Sequence, residues 1–323
     1  MESPDHLYII GNGFDLHHKI NSSYRDFKKW MEREHSPELA VFEDAYGYCD
    51  DDWWSDFENN LASMDIISYA QQVAFENEPD LLSDHCDRTW NDAQIEVEEQ
   101  LKGLFSMIRD CFHDWIEQLN APRKDRCIEV VVRNSAFLNF NYTKTLENLY
   151  RIKSSNICHI HGCIYENEEF ILGHGKTMED LIAMNNTDDR KPPVDPEAYE
   201  EWRNEMEMAH PFHEQLAEDA AFQGVESQKK PVDKLIKKYS SFFDTLHSVS
   251  DVHVYGISFS EVDAPYLNLI AQIAANARWE ISDYEDNNKD SILNFINKNH
   301  IIEYRIIELT DLIDKQQLKI EFS

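Results

Sequence analysis

Positive charge is scarce in this 323-residue chain, which carries 30 lysine and arginine residues against 62 aspartate and glutamate residues. The formal net charge of -32 repels phosphate backbones, which disfavours a general nucleic-acid-binding role. A long apolar run is also missing, because the most apolar stretch, residues 266–277, contains Asn268, Gln272 and Asn276. The first six residues carry two acids and no lysine or arginine, and no apolar stretch of signal-peptide length follows them, so no secretory signal is visible. We therefore expect a cytoplasmic protein that neither spans a membrane nor binds nucleic acid.

Cys-x-x-Cys pairs are absent as well. The six cysteines lie at positions 49, 86, 111, 127, 158 and 163 and are typical of reduced thiols rather than of a disulfide framework. Two of them flank Cys158-His159-Ile160-His161-Gly162-Cys163, a segment that suggests zinc by composition. Without a Cys-x-x-Cys pair we expect no metal site.

The apolar content is sufficient for a real core, at 42% hydrophobic and 12% aromatic residues. Short apolar runs alternate with helical patterns, which indicates βαβ units and a mainly parallel sheet. The predicted strands are residues 7–11, 136–140, 157–160, 169–173, 251–256, 279–282 and 301–309. The predicted fold class is α/β, a Rossmann-like sheet with helices on both faces and large helical insertions.

The domain organisation follows from changes in sequence character along the chain. We expect one domain whose core comprises residues 1–27, 125–175 and 235–323. Residues 28–124 are interpreted as a helical insertion, in which Leu101 to Leu119 and Trp54 to Met64 show helical spacing. Residues 176–234 are interpreted as a second helical or irregular excursion.

Four segments end strands of this sheet, and parallel strands bring their carboxyl ends to one edge where ligands bind. The first is Gly11-Asn12-Gly13-Phe14-Asp15, a glycine turn in which the backbone can approach a phosphate. Leu16 occupies the third glycine position of the dinucleotide-binding fingerprint. A plain tight turn therefore explains this segment equally well.

The second and third segments carry Asn141 and His161. Asn141 follows a strand and is interpreted either as a helix N-cap or as an amide directed at a sugar hydroxyl or a water. Alternation places His159 and His161 on one strand face. His161, followed by glycine at a strand end, is suited to a general base near neutral pH.

The fourth segment runs from Gly256 to Asp263. Gly256 allows close approach of a ligand to the backbone, and the Ser258 hydroxyl offers a hydrogen bond to a phosphate. Ser260 and Asp263 also match a helix capping box, which requires no ligand. Both interpretations of Asp263 stay open at this point.

In their order along the chain, these segments resemble the AbiH family of phage abortive-infection proteins, a divergent branch of the sirtuin-like superfamily. The matching segments are Gly11-Asn-Gly13-Phe-Asp15, Phe140-Asn-Tyr142, His159-Ile-His-Gly162 and Gly256-Ile-Ser-Phe259. The four-cysteine zinc module of protein-deacylating sirtuins is missing, and the acidic insertions are additional. Both departures argue against a protein-lysine deacylase.

The resemblance implies roles for individual residues. It makes Asn141 and His161 the catalytic pair, with Asn141 at the nicotinamide ribose. The residues that it implies for binding NAD are Gly11, Asn12, Gly13, Phe14, Asp15, Tyr24, Phe27, Tyr142, Gly256 and Ser258. Asp263, from the fourth segment, is added to them as a candidate. Tyr24 and Phe27 correspond only loosely to the sirtuin cofactor-loop aromatic.

The expected function is that of an NAD glycohydrolase, which consumes NAD as its substrate and stops phage propagation by depleting it. The alternatives are NAD-dependent ADP-ribosyl transfer or deacylation, and a non-catalytic subunit that senses nucleotides. Constitutive depletion would kill the host, so we expect a homo-oligomer, a sensor or regulator protein encoded nearby, or both, to control activity. Residues 43–58, where acids surround Tyr46, Tyr48, Trp53 and Trp54, are a candidate interface.

The cysteine pattern leads to one direct prediction. Elemental analysis of the purified protein is expected to find no stoichiometric zinc, because the chain offers no Cys-x-x-Cys pair to hold it. One zinc per chain would overturn this interpretation.

Overall fold

The computed structural model describes residues 3–79, 89–163, 170–185, 195, 211–284 and 288–313. The chain divides into two compact units. Unit 1 comprises Met1–Phe27, Phe112–Leu172 and Lys230–Ser323, and unit 2 comprises Lys28–Cys111 and Gly173–Lys229. The predicted single domain stays a prediction.

Unit 1 contains a six-stranded sheet in which every strand pairing is parallel. Along the sheet the strand order is β3-β2-β1-β4-β5-β6. The strands are β1 His6–Ile10, β2 Ser135–Asn139, β3 Ile157–His159, β4 Asp251–Tyr255, β5 Arg278–Ser282 and β6 Tyr304–Ile307. The predicted α/β class with a mainly parallel sheet is confirmed.

Burial on both faces explains why the central strands are almost continuously apolar. Side chains alternate between the faces, so Leu7 and Ile9 of β1 belong to one cluster of buried residues. Tyr8 and Ile10 belong to another cluster on the opposite face. Each face therefore has its own core, and β1 lies at the centre of both.

Helices make up much of the remaining described chain. In chain order they are α1 Asn12–His17, α2 Tyr24–Glu34, α3 Ser36–Tyr46, α4 Asp51–Ser55, α5 Phe57–Asn60, α6 Ile66–Glu76, α7 Asp92–Glu117, α8 Thr145–Tyr150, α9 Met178–Asn185, α10 Phe212–Glu226, α11 Val232–Lys238, α12 Ser240–Phe243, α13 Ala264–Ile273 and α14 Lys289–Lys298. The crossover helices α13 and α14 contribute Tyr266, Ile270 and Ile292 to the first cluster. On the other face, α1 and α8 contribute Phe14 and Leu146. Among the described residues, no helix has the length and apolar character that crossing a membrane requires.

Two predicted elements differ from the structure. Residues 170–173 of the predicted strand 169–173 form no strand, and Glu169 lies outside the described residues. Residues 170–173 contact the segment that follows β2 instead. The Tyr142 hydroxyl donates a hydrogen bond to the carbonyl of Ile171. The helix suggested by Trp54 to Met64 is two short helices, α4 and α5, because Asp56 leaves the helical conformation between them.

In unit 2, most of the aromatic residues of the candidate interface lie inside the fold. Trp54 and Phe57 are fully buried and stack with ring centroids 5.1 Å apart. The half-buried Tyr46 donates its hydroxyl to the carbonyl of Leu61. Only Tyr48 projects, with 86% of its surface exposed, so internal packing explains most of this aromatic cluster.

A close backbone contact joins the turn after β1 to the turn after β4. The amide of Gly13 donates to the carbonyl of Gly256 at 2.9 Å. Gly256 has a φ of +73°, and a Cβ atom added there would lie 2.2 Å from the backbone nitrogen of Phe14. Only glycine satisfies both constraints, because it has no Cβ and adopts positive φ readily.

Alanine at Gly256 is therefore expected to destabilise the protein more than alanine at Gly47. Gly47 has a similar φ of +77°, but a Cβ atom there would meet nothing within 4 Å. Both substitutions carry the backbone penalty of about 1–2 kcal/mol, and overlap at Gly256 adds about 1–3 kcal/mol or more. Urea unfolding measures both variants, and equal losses would contradict the proposed backbone contact.

Candidate functional site

The four segments singled out in the sequence lie at the carboxyl edge of the sheet. They follow β1, β2, β3 and β4, and the strand order reverses between β1 and β4. In open parallel sheets, ligands bind at such a reversal, where the loops on either side leave in opposite directions. The sheet therefore brings all four segments to the edge where a ligand site is expected.

Asn141 lies two residues beyond β2 and is buried. Its side-chain Nδ2 donates to the carbonyl of Gly11 at 3.1 Å, which ties the end of β2 to the end of β1. Its backbone amide donates to the Asn139 side-chain oxygen at 3.1 Å. The N-cap interpretation is wrong, because α8 begins at Thr145 and Lys144 occupies its N-cap position.

Asp15, on α1, lies beside this segment and is 1% exposed. Its Oδ2 accepts a hydrogen bond of 2.6 Å from the Thr143 hydroxyl, while Oδ1 is buried without a hydrogen-bond partner among the described residues. Burial raises the pKa of Asp15 to about 6, and hydrogen bonds from Thr143, Thr145 and Asn141 oppose the rise. An incompletely satisfied carboxyl of this kind is typical of functional sites.

His161 follows β3 in a tight turn. Its carbonyl accepts from the amide of Ile171 at 2.8 Å, and Gly162 after it has a φ of +82°. The imidazole is 2% exposed and contacts the rings of Phe140 and Tyr266 edge-on, at centroid distances of 5.3 and 5.8 Å. Its Nε2 has no hydrogen-bond partner among the described residues.

The surroundings of His161 keep its imidazole neutral. Burial, with a smaller contribution from the charge of Lys230, holds the pKa of His161 well below its ordinary value of 6.5. Lys230 is itself buried, and its Nζ lies 4.0 Å from Oδ1 of Asp263. A neutral imidazole has one unprotonated ring nitrogen that can accept a proton, and the same burial that keeps it neutral also lowers its basicity.

The two histidines of this segment have different surroundings, contrary to the alternation argument. Strand β3 ends at His159, and the amide of Gly162 donates back to the carbonyl of His159, so the alternation stops there. His159 contacts Asn139 and Glu147, at 3.2 and 3.0 Å. His159 is thus fully hydrogen-bonded, whereas His161 is not.

Asp263 does not itself cap α13 with its side chain. Asp263 occupies the N-cap position of α13, but its φ of -95° and ψ of -14° are helical and its side chain makes no capping hydrogen bond. An N-cap side chain normally reaches the helix amides from an extended backbone. The carboxylate of Asp263 faces Lys230 instead.

The glycine turn after β1 is held by the protein itself. The amides of Gly11 and Gly13 donate to the carbonyls of Tyr255 and Gly256, both at 2.9 Å. These two amides are therefore not available to a phosphate in this arrangement. The amide of Gly256 in turn donates to the Ser282 hydroxyl at 2.9 Å.

The remaining residues of the first and fourth segments have different environments. Asn12 and Ser22 pair reciprocally, because Asn12 Nδ2 donates to the Ser22 carbonyl and the Ser22 hydroxyl donates to Asn12 Oδ1. Phe14 is fully buried and packs against His18 and Tyr150. Ser258 is exposed and lies three residues beyond β4. Of these, Ser258 alone presents its side chain to solvent.

The three aromatic residues assigned to the site meet around Phe112. Tyr24, Phe27 and Tyr142 contact its ring at centroid distances of 6.2, 5.4 and 5.1 Å. Phe27 is fully buried and also contacts Trp115. Tyr24 and Tyr142 therefore belong to one aromatic cluster, and Phe27 is part of its interior.

Cysteine and metal chemistry adds little to this edge of the sheet. Among the described residues, the ligand atoms that approach closely enough to hold a metal ion belong to His113, Asp114 and Glu117 on α7, a half-buried to exposed group. The segment Cys158 to Cys163 forms no such group. The five described cysteines form no disulfide with one another, and Cys86 lies outside the described residues.

Several residues of the site were not identified from the sequence. Thr143 and Glu147 follow the Phe140-Asn-Tyr142 segment in the sequence, but their spacing carries no signal of a role. Lys230 lies far from every motif, and only the tertiary structure brings its charge to His161. Asn139 is a strand residue whose contribution depends on its neighbour His159.

Substitution of Asp15 by asparagine is expected to stabilise the protein above pH 6. The unfolded carboxyl loses its proton near pH 4 and the native one near pH 6, so the free energy of unfolding falls as the pH rises through this window. Asp15→Asn removes this loss while keeping an oxygen for Thr143. We expect a gain of about 1–3 kcal/mol at pH 7.5 and none below pH 4, measured by urea unfolding across this range. A gain that is independent of pH would show that Asp15 titrates normally.

Comparison with known proteins identifies the family. The family model described as bacteriophage abortive infection AbiH matches residues 7–283, which include all four strand-end segments. Searches of curated proteins and of solved structures gave no significant match. Because the match covers most of the chain, the protein belongs to the AbiH family of bacteriophage abortive-infection proteins.

Proposed function

We propose that this AbiH protein hydrolyses NAD to nicotinamide and ADP-ribose at the edge formed by β1, β2, β3 and β4, as a sirtuin-like enzyme. The observation that carries the proposal is His161, a buried imidazole whose Nε2 has no partner among the described residues. It follows the strand next to the one that presents Asn141. The pair matches the asparagine and the histidine that the sirtuin resemblance implies.

The chemistry requires a site that stabilises positive charge on a ribose and delivers water to it. Departure of neutral nicotinamide leaves oxocarbenium character at C1′, and water adds there to give ADP-ribose and one proton. Asn141 holds the ribose and orients the water. His161, neutral because of its burial, accepts the proton from the water or from a ribose hydroxyl. General base catalysis of this kind contributes ~10²–10⁴-fold to the rate.

The donor and acceptor groups of the site are suited to sugar hydroxyls. His161 Nε2 and Asp15 Oδ1 are both buried polar atoms without a partner among the described residues, and a ribose hydroxyl both donates and accepts hydrogen bonds. The phosphates require other groups, because the amides of Gly11 and Gly13 are engaged. The Ser258 side chain is exposed at this edge, and its hydroxyl can donate a hydrogen bond to a phosphate.

Control of the activity is part of the proposal. His161 is 2% exposed, so a ribose reaches Nε2 only after the residues that cover it have moved. A resting state of this kind is consistent with an abortive-infection effector, which must not deplete the NAD of a healthy cell. We propose that a partner protein or assembly of the chain itself favours the open state.

His161→Ala is expected to lower NAD turnover at least ~100-fold, because it removes the base, while the lost Nε2 makes no hydrogen bond to the described residues. His213→Ala, at a buried histidine of unit 2, is the matched control and is expected to retain turnover. Products are identified by chromatography after incubation with NAD, with and without proteins encoded nearby, and circular dichroism checks the fold of each variant.

The outcomes separate the candidate functions. Equal amounts of nicotinamide and ADP-ribose support hydrolysis, whereas ADP-ribose attached to an acceptor indicates transfer. Binding of NAD without turnover under every condition would indicate a nucleotide sensor. Wild-type turnover in His161→Ala would show that His161 is not the general base.

A further inference from the structure

A continuous hydrogen-bonded network of side chains leads from α8 to the backbone of Asn141. Glu147 Oε1 lies 3.0 Å from His159 Nε2, and His159 Nδ1 lies 3.2 Å from Asn139 Nδ2. Asn139 Oδ1 accepts the backbone amide of Asn141 at 3.1 Å. Asn139 and His159 are also register partners across β2 and β3. The side chains of Glu147, His159 and Asn139 thus form a chain of hydrogen bonds. It ends at the backbone amide of Asn141, the proposed catalytic residue.

The polarity of this network follows from its end at Asn141. A backbone amide only donates, so the Asn139 oxygen must face it and the Asn139 NH₂ group must face His159. Since that NH₂ group also only donates, His159 Nδ1 is the acceptor and its proton is on Nε2. His159 Nε2–H therefore donates to the Glu147 carboxylate. One tautomer of His159 satisfies every contact.

We propose that Glu147 and His159 are positioning residues that act through Asn139 to hold Asn141 for catalysis. The inference rests on the proposed function, since it assigns a purpose to the placement of Asn141. Asn141 lies two residues beyond the last pair of the β2–β3 ladder, and the backbone hydrogen bonds of β2 to its neighbours end with the Phe140 amide, which donates to the carbonyl of Ile10. The network supplies the missing anchor on the β3 side, and the Gly11 carbonyl anchors the amide side chain on the β1 side.

The burial of Glu147 favours positioning over simple stabilisation. Its Oε2 is buried with no hydrogen-bond partner among the described residues, an unfavourable state for a carboxylate oxygen. An apolar side chain would fill this place on α8 without that cost. A carboxylate that accepts from His159 instead selects the ring tautomer that Asn139 requires, as carboxylates beside catalytic and metal-binding histidines do.

The kinetic test compares two substitutions at one position. Glu147→Leu removes the acceptor, and we expect kcat for NAD hydrolysis to fall about 10–100-fold, with a smaller change in KM, because Asn141 is misplaced in the transition state. Glu147→Gln keeps an oxygen acceptor for His159 Nε2–H and is expected to restore most of kcat. Equal loss in both variants, or wild-type kcat in Glu147→Leu, would overturn the inference.

A second measurement needs no NAD and separates this inference from the proposed function. Nitrogen-15 shifts of His159 report its tautomer, and hydrogen exchange reports protection of the Asn141 amide. In the wild type we expect the Nε2–H tautomer and a protected amide. Glu147→Leu should speed exchange at Asn141 at least tenfold, while Glu147→Gln should not.

If the wild type turns over no NAD, the proposed function fails and the exchange measurement alone decides the inference. Faster exchange at Asn141 confined to Glu147→Leu then supports positioning of this segment for another ligand. Unchanged exchange, or an Nδ1–H tautomer in the wild type, overturns it whether or not NAD is hydrolysed.

Discussion

The contact between the turn after β1 and the turn after β4 is the constraint on which the candidate site depends. Gly13 and Gly256 approach until their backbones touch, and the amide of one donates to the carbonyl of the other. A side chain at either glycine would separate the two strand ends at the point where the strand order reverses. The backbone amides of Gly11 and Gly13 donate to carbonyls at the end of β4 and are therefore not free to bind a phosphate. The turn thus connects the end of β1 to the end of β4. Asn141 extends this junction to β2 through its bond to Gly11.

Around this junction the protein buries ionisable groups under conditions that favour their neutral forms. Burial raises the pKa of Asp15 to about 6 and holds the pKa of His161 well below its ordinary value. Each has one polar atom without a partner among the described residues. Such atoms are unfavourable in a resting protein and favourable once a ligand supplies the missing hydrogen bonds. His159, a neighbour in sequence, has both ring nitrogens hydrogen-bonded, which distinguishes a supporting histidine from a candidate base.

The burial of His161 is the structural basis of the proposed control, in a protein whose family acts in abortive infection. The net charge of -32 makes close association of identical subunits unfavourable unless local charges pair. Most aromatic side chains in residues 43–58 are buried or half-buried. Trp54 and Phe57, for example, pack against each other inside unit 2. Tyr48 is the exception, with 86% of its surface exposed.

Short apolar runs with period-two alternation and glycine breaks were enough to predict the parallel α/β sheet, because parallel strands must bury both faces. The same runs correctly predicted that residues after β1, β2, β3 and β4 come together, since parallel strands share one carboxyl edge. The sequence by itself thus determined the sheet and the position of Asn141, His161 and the glycine turns at its carboxyl edge. It did not determine what those residues contact. Residues 170–173 form no strand, and His159 and His161 do not share a face. Of the two interpretations of Asn141, the structure excludes the N-cap. Such contacts depend on where the backbone turns and on which residues from distant parts of the sequence lie nearby. Lys230, whose charge acts on His161, is an example. Tertiary structure alone decided these contacts, because hydrogen bonding and burial between residues far apart in sequence leave no local pattern.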